Sequence, residues 1–212
     1  MIESLLPAAV RSSEAFTDRT DVVLFPEEAR AVERAVDKRR REFTTVRACA
    51  RDALADLGVA AAPIVPGVRG APDWPADVVG SMTHCSGYRA ASVARSQDLA
   101  SIGIDAEPNE PLPEDVLNLV AVPDDLPGLK QLTDTGVATD RLLFSAKESL
   151  YKAWFPLARR WLGFHQATVA LRADGTFTAR VLIGGGGRLT ELGGNWLAAH
   201  GLLITAISIP AS

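Results

Sequence analysis

The sequence of 212 residues has few cysteines and no net positive charge, and each shortage excludes a class of protein. Its two cysteines, Cys49 and Cys85, do not have the spacing of a metal site, and we expect both to be reduced in a chain without an export signal. The formal net charge of −4 provides no basic field of the kind that general nucleic-acid binding needs, so we predict no nucleic-acid partner.

Long apolar runs are also missing. The longest, residues 196–210, is interrupted by His200 and Gly201 and is too short to cross a bilayer, which predicts no membrane partner. Residues 1–7 have no basic region before a brief apolar stretch and do not resemble a signal peptide. The hydrophobic content of 47% and the charged content of 23% are typical of a globular protein, which we expect in the cytoplasm.

Two acidic residues lie on one face of a predicted strand. Asp105 and Glu107 alternate with Ile104 and Ala106, so the two carboxylates point to the same side. Packing explains such a pair poorly, whereas carboxylate oxygens are ligands that a hard cation prefers.

A further carboxylate lies on a predicted helix over residues 140–154. Glu148 and Lys152 are one helical turn apart and share a face. Taken alone, the pair indicates a surface salt bridge as readily as a site. Together with Asp105 and Glu107, however, Glu148 makes three oxygen ligands for an octahedral cation that retains water and shares substrate phosphates.

Four segments extend this pattern: GAPDWP at residues 70–75, GSMTHCSGY at 80–88, GIDAE at 103–107 and FSAKESLYKAW at 144–154. In content and order they resemble the signatures of the Sfp-type 4′-phosphopantetheinyl transferases, most of all the actinobacterial branch that is similar to enterobactin synthase component D. The resemblance covers the chain from about Arg39 to its last residue.

The resemblance implies transfer of the 4′-phosphopantetheine arm of coenzyme A to a serine of an apo acyl or peptidyl carrier protein, with release of adenosine 3′,5′-bisphosphate. Relatives of this branch serve polyketide, peptide-synthetase, fatty-acid and siderophore systems. Two other functions fit the same residues, namely a metal-dependent hydrolase of coenzyme A or of a holo carrier protein, and a non-catalytic module that binds coenzyme A.

The resemblance also implies roles for individual residues. Mg²⁺, or Mn²⁺ in its place, is held by Asp105, Glu107 and Glu148. Glu148 is the general base, directly or through a metal-bound water. Lys152 stabilises the diphosphate better than Lys147, because it shares the face of Glu148. The catalytic set is therefore Asp105, Glu148 and Lys152.

A larger set is implied to contact coenzyme A. It comprises Arg39, Arg47, Arg69, Gly70, Ser81, Met82, Thr83, His84, Asp105, Lys147, Glu148 and Lys152. Helical spacing favours Arg40 as the partner of Arg47, because the two lie nearly in line along a helix, whereas the resemblance favours Arg39. Where several relatives have a lysine this chain has Pro66, which removes one charge near the 3′-phosphate.

The fold implied is α+β and monomeric, with two pseudo-twofold halves, residues 1–107 and 108–212, that enclose the site in a cleft. Each half has a helix packed on a small, mainly antiparallel sheet. The pattern predicts a helix over 27–57, a hairpin of 88–94 with 99–104, and strands at 166–171, 176–183 and 202–209. Residues 184–187 read as a turn. Trp161 and Phe164 are expected to seal the core, with contact to an acidic carrier protein as the alternative.

Overall fold

The structure is a computed structural model that describes residues 1–133, 135–184 and 187–211. Within these residues it has five α-helices and eight β-strands in two antiparallel sheets, which confirms the α+β prediction. The helices are α1 (Pro26–Ala31), α2 (Asp37–Asp56), α3 (Val116–Val120), α4 (Leu126–Gln131) and α5 (Thr139–Ala158). The strands are β1 (Arg11–Ala15), β2 (Val78–Cys85), β3 (Tyr88–Arg95), β4 (Leu99–Pro108), β5 (Ala167–Leu171), β6 (Thr176–Val181), β7 (Glu191–Ala199) and β8 (Leu202–Pro210).

The first sheet has the strand order β1-β3-β2, and α2 packs across it. We expected one helix over residues 27–57, but the chain forms α1, breaks, and starts again as α2. The break lets α1 fold back, so that the fully buried Glu28 accepts hydrogen bonds from Arg51 at 2.9 and 3.1 Å and from the Ile64 N–H at 2.9 Å. These contacts are distant in sequence, which is why helical periodicity alone did not reveal the break.

Strands β3 and β4 lie in different sheets, so the predicted hairpin between them is wrong. The hairpin partner of β3 is β2, and the turn between them uses Gly87 at a φ of +76°. Strand β4 pairs with β8, with Asp105 opposite Thr205. Alternation of apolar and polar residues identifies a strand but not its partner. The strands therefore divide between the sheets before Leu99 rather than after Glu107.

The second sheet has the order β4-β8-β7-β6-β5, and α5 packs on β4 and β8. Helix and strand are in backbone contact at Gly103, where an added β-carbon would lie 2.0 Å from the Ser149 carbonyl oxygen. Only glycine permits this approach, which fixes the depth of α5 above β4. Among the described residues, no helix is both long and apolar enough to cross a membrane.

Strand β7 was not predicted, because its two central glycines weaken the strand pattern. Gly194 is nevertheless required there, since an added β-carbon would lie 2.2 Å from the Phe177 ring. The turn that we predicted at 184–187 includes residues 185 and 186, which lie outside the described residues.

Two buried hydroxyl groups join the sheets where β2 passes β4. Ser81 Oγ accepts the Ile104 N–H at 3.1 Å, and Thr83 Oγ1 accepts the Ala106 N–H at 3.0 Å. These bonds hold the end of the first sheet against the strand that carries the predicted carboxylates.

Candidate active site

The acidic residues of β4 meet a row of charged residues on α5. Arg141, Glu148 and Lys152 lie along one side of α5, roughly two turns and then one turn apart. Asp105 is 5% exposed, and its Oδ1 accepts a hydrogen bond from Lys152 Nζ at 2.7 Å. Glu107 Oε2 accepts one from Arg141 Nη1 at 3.0 Å. The structure thus brings the predicted catalytic residues of the strand and of the helix together.

Glu148 belongs electrostatically to the same cluster. Burial raises its pKa, Asp105 and Glu107 raise it further, and Lys152 opposes them. The pKa of Glu107 is also raised, first by burial and then by Asp105, with Arg141 opposing. A carboxylate with a raised pKa is a better proton acceptor at neutral pH than an ordinary one.

Asp105 leaves one oxygen unused. Its Oδ2 is buried and has no hydrogen-bond partner among the described residues, which is uncommon for a carboxylate oxygen. A hard divalent cation takes such oxygen ligands, so the donor chemistry fits the expected metal. Across the described part of the chain, however, no three His, Cys, Asp or Glu side chains are grouped closely enough to hold a metal ion as they stand. Glu107, the third expected ligand, is directed to Arg141 instead.

A cavity of about 120 Å³ opens beside Glu148, between α5 and the segment that leads into β5. Its walls are mostly apolar and include Leu150, Leu162 and Phe164. The hydroxyl of Tyr151, another wall residue, is buried and finds no hydrogen-bond partner in the described structure. The cavity therefore suits a small apolar group that carries one polar atom.

Lys147 lines this cavity, but its ammonium group has a structural role. Nζ lies 2.7 Å from Asp125 Oδ2 and between 2.8 and 3.0 Å from the carbonyl oxygens of Val120, Phe164 and Ala167. An ammonium has three N–H donors, so these four acceptors leave none for a phosphate. We therefore correct the expectation that Lys147 binds a coenzyme phosphate. It joins α5 to the surrounding segments instead.

In the first half, Arg39 contacts His84 through its Nη1 and the ring Nε2. Arg40 instead donates to the carbonyl oxygens of Glu33 and Ala35, at 3.3 and 3.1 Å. Of the two candidates, Arg39 is thus the one beside a predicted site residue. Burial, followed by the charge of Arg39, lowers the pKa of His84 to about 4, so the ring is neutral at neutral pH.

Arg47 lies deeper in this cluster and is 7% exposed. Its Nε donates to the Ile64 carbonyl oxygen at 3.2 Å, and the guanidinium carbon lies 3.5 Å from the centre of the Phe43 ring. Burial, with smaller effects from Arg39 and Arg51, lowers its pKa to about 10. A cation that is destabilised in this way gains from a bound anion.

The Ser-Met-Thr-His segment is divided between two faces of β2. Ser81 and Thr83 point to β4 and are each 3% exposed, whereas Met82 packs in the cluster under α2 and His84 reaches Arg39. Both hydroxyls accept a backbone N–H of β4, and Thr83 also donates to Asp105 Oδ1 at 3.4 Å, so they support the strand that carries the carboxylates. Their contact with a coenzyme phosphate stays a prediction.

Arg69 and Gly70 form a turn that reaches the second half. Gly70 has a φ of +78°, and the Arg69 guanidinium carbon lies 4.9 Å from the centre of the Trp161 ring. Trp161 is 56% exposed, and the neighbouring Leu162 is buried in its place. The expectation that Trp161 seals the core is therefore wrong. Its ring lines the cavity and contacts Arg69.

Three further residues were not singled out from the sequence. Arg141 could have been found from its spacing, because it lies two helical turns before Glu148. Glu42, 3.5 Å from His84 Nδ1, has the spacing of a helix neighbour of Arg39 but no motif. Nothing in the sequence indicated that the Tyr151 hydroxyl is buried without a partner.

Comparisons with known proteins identify the class. The model of the 4′-phosphopantetheinyl transferase N-terminal domain matches residues 27–94, and that of the 4′-phosphopantetheinyl transferase superfamily matches residues 101–200. The chain belongs to this superfamily and is an enzyme of this kind, as the resemblance implied.

Three relatives cover nearly all of the chain. The 4′-phosphopantetheinyl transferase Svp of Streptomyces mobaraensis is 53% identical, over 100% of this chain and 90% of Svp. Npt of Nocardia iowensis is 47% identical, over 98% of this chain and 99% of its own. PptT of Mycobacterium tuberculosis is 45% identical, over 98% and 97%. All three carry the name 4′-phosphopantetheinyl transferase.

Proposed function

We propose that the protein transfers 4′-phosphopantetheine from coenzyme A to a serine hydroxyl of an apo acyl or peptidyl carrier protein, in a Mg²⁺-dependent reaction that releases adenosine 3′,5′-bisphosphate. The names of its relatives support the transfer. The observation that carries the proposal is the meeting of Asp105, Glu148 and Lys152 where β4 and α5 touch.

In this reaction the serine oxygen attacks the phosphorus that bears the pantetheine. A new O–P bond forms, the bond from that phosphorus to the bridging oxygen breaks, and its electrons leave with adenosine 3′,5′-bisphosphate. The serine proton passes to Glu148, directly or through a water. Burial and Asp105 raise the pKa of Glu148, and a raised pKa improves a base for this step.

Negative charge on the bridging oxygen is stabilised by Lys152. Its Nζ donates to Asp105 Oδ1 at 2.7 Å and to the Ile104 carbonyl oxygen at 3.0 Å. Three N–H donors are available, so one remains for the diphosphate. Mg²⁺, when bound, neutralises phosphate charge and orients the phosphate oxygens. Asp105 and Glu148 would hold it, with Glu107 as the third ligand.

The remaining phosphate of coenzyme A lies, in this proposal, against the first half. Arg39 is exposed and touches the neutral His84, and Arg47 lies behind them with its charge poorly solvated. Arginine recognises phosphate through a planar pair of N–H groups. The cavity beside Glu148 then receives part of the pantetheine arm, and the buried Tyr151 hydroxyl supplies a hydrogen bond.

The direct test mixes the protein with coenzyme A, Mg²⁺ and an apo carrier domain, and reads the intact mass of the carrier. One added phosphopantetheine is expected, with no addition when Mg²⁺ is chelated. Phosphopantetheine released to water without a carrier would instead indicate the hydrolase. Binding of coenzyme A with neither product would indicate the non-catalytic module.

We also infer that the enzyme acts as a monomer, because both carboxylate-bearing elements come from one chain. We propose that it acts in the cytoplasm, as the sequence predicts. Light scattering coupled to size exclusion tests the monomer, and a mass of two chains at working concentration would contradict it.

A further inference from the structure

Arg141 donates one hydrogen bond to the Glu107 carboxylate and two to the backbone that follows β4. Its Nη1 donates to Glu107 Oε2 at 3.0 Å, its Nε to the Glu110 carbonyl oxygen at 3.1 Å and its Nη2 to the Pro111 carbonyl oxygen at 3.0 Å. The side chains of Arg141 and Glu107 are 19% and 20% exposed, so the ion pair is largely removed from water. A planar guanidinium with three fixed acceptors is a rigid partner for a carboxylate.

The loop after β4 does not depend on Arg141 alone. Asp140 Oδ2 accepts the Leu112 N–H at 2.8 Å. The Asn109 side chain donates to the Gly136 carbonyl oxygen at 3.1 Å and accepts the Ala138 N–H at 2.8 Å. Because these bonds already tie the loop to the start of α5, the particular effect of Arg141 is on the direction of the Glu107 carboxylate.

The three acidic residues differ in this respect. Asp105 is bonded by Lys152 through Oδ1 but keeps its buried Oδ2 without a partner among the described residues, and Glu148 makes no side-chain hydrogen bond with them. Glu107 is bonded through Oε2 by an arginine that two backbone carbonyl oxygens hold in place. This difference accounts for the finding that, in the described structure, the three carboxylates lie in one charged cluster without forming a closed set of metal ligands.

We propose that Arg141 is a positioning residue that competes with the divalent cation for Glu107. The inference rests on the proposed metal-dependent function. Arg141 holds Glu107 Oε2 and keeps a positive charge beside the carboxylate, so a metal that takes Glu107 as a ligand must share or displace this partner, and the cost weakens metal binding to the free protein. A coenzyme diphosphate supplies further oxygen ligands to the metal and offsets that cost. The metal therefore enters mainly together with coenzyme A.

The test is a titration of the whole protein with Mn²⁺, in which electron paramagnetic resonance measures the free ion. Removing the competitor in Arg141→Gln should tighten Mn²⁺ binding in the absence of coenzyme A by about fivefold, the equivalent of a partly buried ion pair. Glu107→Gln should weaken it, and the double variant should match Glu107→Gln. The matched control is Arg180→Gln, which breaks the exposed Arg180–Glu191 pair, 2.8 Å long and on the far strands, and should leave Mn²⁺ binding unchanged.

Unchanged or weaker binding in Arg141→Gln would overturn the inference, as would a gain that survives in the double variant. If Arg141→Gln does not fold, Arg141→Lys decides the matter. A lysine keeps the charge but cannot hold three acceptors in a plane, so a smaller gain supports competition and no gain contradicts it. Asp105→Asn separates the two hypotheses. If Asp105→Asn binds Mn²⁺ as tightly as the wild type, the metal site itself is refuted. If Asp105→Asn loses Mn²⁺ binding but Arg141→Gln has no effect on it, only the role of Arg141 is refuted.

Discussion

The two long helices, α2 and α5, each have 20 residues and each cover one sheet, but their charged sides have opposite characters. The cations of α5 that face the site are already paired, Lys152 with Asp105 and Arg141 with Glu107. Those of α2, Arg39 and Arg47, have no carboxylate within ion-pair distance among the described residues.

The difference is consistent with separate roles for the two helices in the proposed reaction. Unpaired cations on α2 leave room for the anionic phosphates of a coenzyme. The carboxylates that α5 and β4 share instead create negative charge, which a divalent cation or a proton can relieve. In the proposed reaction, the cations of α2 would contact the coenzyme, and the residues of β4 and α5 would carry the chemistry.

The substitution with the largest expected effect on this comparison is Glu148→Gln. We expect turnover to fall by about 10²–10⁴-fold, because the variant removes both a base and a metal ligand. Affinity for coenzyme A, measured by calorimetry without metal, should stay within a few-fold of the wild type. A Glu148→Gln enzyme with normal turnover would refute the assignment of chemistry to α5.

Substitutions of the two lysines of α5 should impair different properties, stability in one case and turnover in the other. Lys147→Met leaves the fully buried Asp125 without its cation, and we expect the free energy of unfolding to fall by about 3–5 kcal/mol. Lys152→Met should lose less stability but at least about 10²-fold in turnover. Denaturant unfolding and steady-state kinetics on both variants check this. Equal loss of stability in both would contradict the structural role of Lys147.

The role of the cations on α2 is tested by comparing Arg39→Gln with Arg40→Gln. We expect Arg39→Gln to raise the KM for coenzyme A about tenfold with a smaller change in kcat, since a lost charge-assisted hydrogen bond costs about 1.5 kcal/mol. Arg40→Gln is the matched control, because Arg40 binds backbone carbonyls away from His84. If Arg40→Gln raises KM and Arg39→Gln does not, the pairing suggested by helical spacing is the correct one.

The smallest expected effect concerns pH. The pKa of His84 is lowered to about 4 from its ordinary value of 6.5, so between these values the unfolded chain binds a proton that the folded protein does not. Stability is therefore lost as pH falls through this window. His84→Asn should show a smaller drop in Tm between pH 7 and pH 5 than the wild type. His200→Asn, in an exposed turn, is the control and should follow the wild type.

Much of the site could be predicted because it rests on local pattern. The alternation around Asp105 placed its side chain with that of Glu107, and one helical turn placed Lys152 beside Glu148. Both rules depend only on backbone geometry, which neighbouring residues determine. The motif order then sufficed for the family and the fold class.

The rest depends on contacts between distant segments. Nothing local distinguishes Lys147, enclosed by carbonyl oxygens, from Lys152, which faces β4, because the difference arises from the segments that pack beside α5. Ser81 and Thr83 looked available to a ligand until β4 was placed against them. Trp161 was expected in the core because it is large and apolar, whereas its actual neighbour is Arg69.

Strand β4 follows the first sheet along the chain but belongs to the second, and the crossing is the short exposed turn at Ser96, Gln97 and Asp98. If the gene were cut into two separately expressed pieces, a cut at Gln97 would keep every strand with its hydrogen-bonded partners. A cut after Glu107 would leave β4 on the first fragment, separated from its partner β8, with unpaired backbone groups along that edge. From this topology we expect the two fragments cut at Gln97 to complement each other, and the two cut after Glu107 to precipitate.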